Sequence, residues 1–142
     1  MNQKTYKVWK YLLTYPNQWL SVYTISSELR LTFRQVISVL SGINSQFIEK
    51  EHTGGGVEVC LNADDDTLMM LKREAVRDYF DIDESFIETL YEVLPPCGWI
   101  SVTDIAEDTG LKPIKISAAL STMTNVQHKC IGSMQMYSKK VA

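Results

Sequence analysis

Twenty-five residues of this chain occur twice. Trp19 to Ile43 aligns with Trp99 to Met123 without a gap, and seven of the twenty-five positions are identical: Trp, Ser, Val, Ile, Leu, Leu and Ser. Most of the other inward-pointing positions are conservative, as in Leu20 with Ile100 and Ile43 with Met123. A repeat that keeps its apolar positions while changing its polar ones is one fold used twice, with two different surfaces.

Each copy reads as helix, turn, helix. In the first, Ser21 is placed to cap a helix whose apolar positions Val22, Ile25 and Leu29 recur at the spacing of one face. In the second, Ser101 followed by Asp104 approaches a reciprocal capping pattern, and Val102 and Ile105 repeat the stripe. Gly110 falls where the chain must turn sharply, because glycine takes a left-handed conformation without steric cost. Arg30 holds the matching place in copy one, at a cost of about 1 kcal/mol if the conformation is the same. In the second helices, Thr32-Phe33-Arg34-Gln35 is a capping box, and Lys112-Pro113 puts proline at the first helical position, where its missing donor is no loss. Positions 36, 39, 40 and 43, and 116, 119, 120 and 123, form the buried faces.

The flanks repeat as well. Tyr6, Trp9, Leu12 and Leu13 make a short amphipathic helix that ends before Tyr15-Pro16, and Ile87, Leu90, Val93 and Leu94 make its counterpart. That match is offset by 81 rather than 80, so one residue is lost in the loop where Pro95-Pro96-Cys97-Gly98 replaces Tyr15-Pro16-Asn17-Gln18. After each copy comes a hairpin: residues 46–52 and 57–61 around Gly54-Gly55-Gly56, then 126–131 and 134–138 around Gly132-Ser133. Between the halves, Asp64, Asp65 and Asp66 cap a helix over 67–80 with Leu68, Leu71, Ala75 and Tyr79 on one face and Met69, Val76 and Phe80 beside it. That face must be buried, either between the halves or against another copy.

On this element order and on the repeated W-[LI]-S-V-x-x-I pattern, residues 4–62 and 84–138 each resemble a winged-helix domain of the helix-turn-helix class. The resemblance implies that the first helix packs behind the pair and that the Trp stretch forms a short strand in the hairpin's sheet. It also implies that the third helix is the recognition helix and the hairpin the wing. The expected fold is α+β, mostly α, with two winged-helix domains in tandem joined by a connecting helix: domain 1 over 1–62, the acidic connector over 63–83 and domain 2 over 84–142.

Composition narrows the function. With 45% hydrophobic and 22% charged residues in 142, the chain has an ordinary globular balance. No run of eighteen apolar residues occurs, and no apolar signal core follows Met1-Asn2-Gln3-Lys4, so a cytoplasmic location without membrane contact is expected. Cys60, Cys97 and Cys130 share no close spacing, and free, reduced, mostly buried thiols are expected rather than a metal site. Net charge is −3, distributed as +2 over residues 1–63, −5 over 64–84 and 0 over 85–142. The acid is therefore concentrated in the connector, and the helix-turn-helix copies are neutral to mildly basic.

The first recognition-type helix, 33–43, turns Arg34, Gln35, Ser38, Ser41 and Gly42 outward, with Thr32 at its cap. Arg and Gln can make paired hydrogen bonds to guanine and adenine edges, and small neighbours allow close approach, although a solvated surface selects the same residue types. The second, 113–123, turns Ile114, Lys115, Ala118, Ser121 and Thr122 outward with Lys112 at its start; Ile114 and Ala118 suit a thymine methyl or a protein contact equally. Wing one mixes Lys50 and His52 with Glu49, Glu51 and Glu58, whereas wing two has His128, Lys129, Lys139 and Lys140 and no acid.

The expected partner is double-stranded DNA, bound by a transcriptional regulator through Thr32, Arg34, Gln35, Ser38, Ser41, Lys50, Lys112, Lys115, Ser121 and Lys129. Copy one would read sequence and copy two would grip the backbone, with a homodimer left open. The rival is a non-enzymatic interaction scaffold of tandem winged helices, its protein partner at the Ile114/Ala118 face, which the net charge and the acidic first wing favour. No catalytic residue and no cofactor are expected: the glycines lie in a hairpin rather than before a helix, and no nucleophile has a locally spaced base. Trp19 and Trp99 repeat in step with the core and are expected to be packing residues, each costing about 3–5 kcal/mol on truncation to Ala.

Overall fold

The computed structural model describes residues 1–43 and 46–140. The fold is α+β and mostly helical, 53% helix and 20% strand, with seven helices and two small antiparallel sheets among the described residues. The chain divides into two compact units, Met1–Ala75 and Val76–Ala142. Among the described residues no helix is long and apolar enough to cross a membrane.

Helix α1 (Gln3–Thr14) starts at Asn2, whose side chain accepts the Thr5 amide at 2.8 Å. Its buried stripe is Val8, Trp9, Leu12 and Leu13, with Tyr6 only half-buried at the edge. Strand β1 (Leu20–Ser21) runs straight into α2 (Val22–Leu29), whose N-cap Ser21 makes no side-chain capping bond. Helix α2 ends on Arg30 in the left-handed conformation, φ 55° and ψ 43°. Helix α3 (Phe33–Gly42) carries the complete capping box: the Gln35 amide donates to Thr32 Oγ1 at 3.1 Å, and the Thr32 amide donates to Gln35 Oε1 at 2.9 Å. Strands β2 (Ile48–Thr53) and β3 (Gly56–Leu61) form the hairpin, and β1 adds to its far side in the order β1-β3-β2.

Helix α4 (Asp65–Tyr79) crosses the boundary between the units. Asp64 accepts the Thr67 amide at 2.7 Å, while Asp65 and Asp66 occupy the first turn, where the helix dipole favours acid. Leu71 and Ala75 are buried in the first unit's core with Leu68 beside them, so this part of the apolar face is covered by the unit to which it belongs.

In the second unit, α5 (Glu84–Val93) is capped by Asp83, and β4 (Ile100–Ser101) leads into α6 (Val102–Thr109), where Ser101 accepts the Asp104 amide at 3.2 Å. Helix α6 ends on Gly110 at φ 73°, the counterpart of Arg30, so at this turn the first copy carries a side chain in the left-handed conformation and the second does not. Helix α7 (Pro113–Thr122) begins with proline, and β5 (Val126–Ile131) and β6 (Met134–Lys139) complete a sheet of order β4-β6-β5.

Each core lies between helices and sheet. Leu12, Ile25, Leu40 and Leu61 are fully buried in the first, and Leu90, Leu94, Ile105 and Ile116 in the second. A buried side chain of this kind contributes about 1.5–3 kcal/mol over its exposed state. Two expectations need correction. Trp19 is 45% exposed and Trp99 is half-buried, so neither is a core residue. Each precedes a two-residue edge strand whose ladder starts only at Leu20 or Ile100, and no paired strand covers it. Of the three cysteines only Cys60 is buried; Cys97 and Cys130 are exposed.

Candidate nucleic-acid interface

In the first unit, α3 presents Arg34, Ser38 and Ser41 to solvent. Four of the expected groups, Thr32, Gln35, Ser41 and Lys50, make hydrogen bonds within the unit. Thr32 Oγ1 and Gln35 Oε1 are the two acceptors of the capping box, and Gln35 is half-buried. The Ser41 hydroxyl donates to the Ile37 carbonyl at 2.9 Å. On β2, Lys50 Nζ donates to the Leu40 carbonyl at 3.1 Å, which ties the hairpin to the last turn of α3, where the dipole favours a cation. Around it the hairpin is acidic. Glu51 and Glu58 face each other across the β2–β3 ladder and Glu49 is exposed, an arrangement that repels phosphate.

An aromatic stack joins α2 and α3 of this unit. Tyr23 on α2 stacks on Phe33 at the start of α3, ring centroids 4.6 Å apart and planes 29° apart. Gly56, at φ 134°, lies under the Tyr23 ring; a Cβ there would come within 2.8 Å of Tyr23 Cε2. The signal in the sequence was the last glycine of the hairpin turn, which reads equally well as a flexible tip.

Charge in the second unit is divided along the chain. Residues 76–109 carry nine Asp/Glu and one Arg, whereas residues 110–140 carry five Lys and no Asp or Glu. Lys112 is exposed at the N-cap of α7. Three of the other lysines lie over aromatic rings: Lys115 Nζ is 4.7 Å from the Phe86 centroid, Lys129 Nζ 4.3 Å from Trp99, and Lys139 Nζ 4.8 Å from Tyr91. Each contact contributes about 0.5–1 kcal/mol when exposed and restricts the ammonium before any ligand arrives. The rows of the two sheets explain the difference between the hairpins. Ser21, Glu58 and Glu51 align in one, and Ser101, Met136 and Lys129 in the other, so Glu51 stands where Lys129 covers Trp99.

Helix α7 also differs from its expected orientation at its end. Thr122, expected outward, is 5% exposed: its hydroxyl donates to the Ala119 carbonyl at 2.7 Å and accepts Arg77 Nε at 3.1 Å. Arg77 Nη1 also reaches Glu84 Oε1 at 3.2 Å, so the last turn of α7 is anchored to the end of α4 and the start of α5. Gly42 at the matching place has no side chain to do this. Ile114 stays outward and is 67% exposed, Ala118 is half-buried, and the Ser121 hydroxyl donates to the Ala118 carbonyl at 2.6 Å. At the hairpin tip Ile131 and Met134 are each 53% exposed. Burial, with Cys130 nearby, pushes the Tyr137 hydroxyl above its usual range, so it is a neutral group beside His128.

No protein-family model matches the chain, and no curated protein matches it.

Proposed function

We propose that the chain is a non-enzymatic tandem winged-helix protein that binds double-stranded DNA, the second unit gripping the phosphate backbone and the first offering Arg34 and Ser38 to base edges. The winged-helix assignment is supported by the order helix, two-residue strand, helix, helix, hairpin in each unit and by the same strand order in each sheet. The observation that carries the DNA reading is the acid-free span 110–140, whose five lysines lie at the N-cap of α7, on α7, on the hairpin and just after it. Phosphates attract such a set, and cations held against rings lose less entropy on contact. The role of Gln35 shrinks, because its carbonyl oxygen holds the cap, and Lys50 acts by bracing the hairpin.

The test is binding to a random-sequence duplex pool across a salt series. Lys115→Ala and Lys129→Ala should each weaken binding to all sequences alike and reduce the slope of log affinity against log salt by about one. Arg34→Ala should relax sequence preference with little change in slope. No retention of duplex even at low salt overturns the proposal. A scaffold reading is favoured by one specific observation, the exposed Ile114, Ile131 and Met134. Ile114→Lys separates the two: it strengthens DNA binding on the first reading and abolishes partner binding on the second.

A further inference from the structure

A cleft of about 640 Å³ opens beside the first turn of α7, entirely within the second unit. Its walls are largely apolar: Tyr79, Phe80, Phe86, Leu111 and Ile114. Its charged groups are Lys112 and Lys115, and no Asp or Glu lines it. We propose that this cleft binds a small amphipathic carboxylate, with an aromatic or alkyl body and one anionic end.

The volume lies within the range of about 300–1,000 Å³ that small-molecule pockets occupy. The body of the ligand answers the most exposed large apolar side chain of the unit, Ile114 at 67%, which leaves water only if something apolar lies against it. The anionic end answers the two lysines. Lys115 Nζ lies 4.7 Å from the Phe86 centroid, so one cation already stands on the aromatic wall against which the body would lie. The backbone adds to this charge. Lys112 caps α7 without a side-chain hydrogen bond and Pro113 has no amide hydrogen, leaving the amides of Ile114 and Lys115 at the positive end of a ten-residue helix. In α3 the same amide position is occupied by Thr32 Oγ1, and no carboxylate is called for. A ligand with a single negative charge suits two cations beside an apolar wall better than a polyphosphate, whose remaining charges would face Ile114 and Phe80.

Lys112 and Lys115 are also assigned to DNA phosphates above. The carboxylate should therefore displace duplex DNA from the second unit, a corollary that rests on the proposed function, whereas binding in the cleft does not.

The experiment titrates the full chain with 4-phenylbutyrate and, separately, with the uncharged 4-phenylbutanol, followed by amide and methyl NMR signals. The acid should give saturable shifts at Leu111, Ile114, Lys115 and Phe86 and bind about tenfold tighter than the alcohol. Lys112→Gln with Lys115→Gln should bring the two affinities together. Ile114→Glu should abolish binding of the acid while leaving the rest of the spectrum in place, because this side chain is exposed. Equal affinities for acid and alcohol, shifts centred elsewhere, or no saturation in the millimolar range overturn the site. Displacement of a prebound duplex is then read by fluorescence anisotropy. Saturation of the cleft with no loss of DNA overturns the coupling and leaves the site standing, while a protein that binds the acid and never binds DNA overturns the proposed function alone.

Discussion

Replacing Arg30 by glycine should stabilise the first unit, and replacing Gly110 by alanine should destabilise the second by a similar amount. The two residues hold the same turn, at φ 55° and φ 73°. A left-handed conformation costs a residue with a side chain about 1–2 kcal/mol. Glycine gives back about 0.4–1 kcal/mol through its freer unfolded chain, leaving a net gain near 0.5–1 kcal/mol for Arg30→Gly. An added Cβ at Gly110 meets nothing within 4 Å, so Gly110→Ala reports the backbone term without a clash. Urea unfolding would be followed at the Leu12 and Leu40 amides for one unit and at Leu90 and Ile116 for the other, so that each unit gives its own curve. With a slope of about 1 kcal/mol per molar, midpoints should move by roughly 0.5–1 M in opposite directions. Destabilisation by Arg30→Gly would refute this, since it would mean that interactions of the guanidinium hold the turn; no effect of Gly110→Ala would refute it as well, since it would mean that the left-handed turn costs a side chain nothing.

Other outcomes follow from the same structure. Trp19→Ala should cost about 1 kcal/mol, because 45% of the residue is already exposed, whereas Trp9→Ala at 7% exposure should cost about 3–5 kcal/mol; thermal melts compare them directly. Gly56→Ala should destabilise the first unit by more than about 1 kcal/mol, through both its positive φ and the 2.8 Å approach to Tyr23, and Tyr23→Ala should relieve the second part alone. A thiol reagent should titrate Cys97 and Cys130 in the folded protein and Cys60 only in denaturant, since burial, with Glu49 nearby, also raises the Cys60 thiol above its usual value. Hydrogen bonds from Thr67, its backbone amide foremost, hold the Asp64 carboxyl below its usual 3.8. A lowered folded value means that the cap contributes fully above the usual one and is lost as pH falls through the lowered one, so Asp64→Asn should flatten the stability profile around and below about pH 4, the variant lacking at pH 7 the charge-dependent part of the cap.

Much of the candidate site was legible, because exposure on a helix follows from its period. Arg34, Ser38, Lys112 and Ile114 lie outward as the apolar spacing of α3 and α7 requires. The residues that departed from expectation are those with a second use for a polar group. Gln35 was readable both as a cap and as a base reader, and accepting the Thr32 amide turns its carbonyl oxygen toward the helix start, away from the pose that pairs with an adenine edge. Thr122 is small enough to enter the core once Arg77 meets its hydroxyl, a contact between residues 45 positions apart that no local pattern announces.

By itself the sequence determined the elements and their duplication: apolar residues at helical spacing, caps at Thr32 and Ser101, proline at the start of α7 and a short turn at Gly132 specify local structure through forces that act within a few residues. It also determined the separation of charge at Gly110, which needs no fold to be counted. Only the tertiary structure decided what each side chain meets. Trp19 and Trp99 are identical in type and in place along the chain, yet one is left open and the other lies under Lys129, whose register position in the first sheet is held by Glu51. Exposure and partnership are properties of neighbours in space, and pairing strands far apart in sequence is what selects those neighbours.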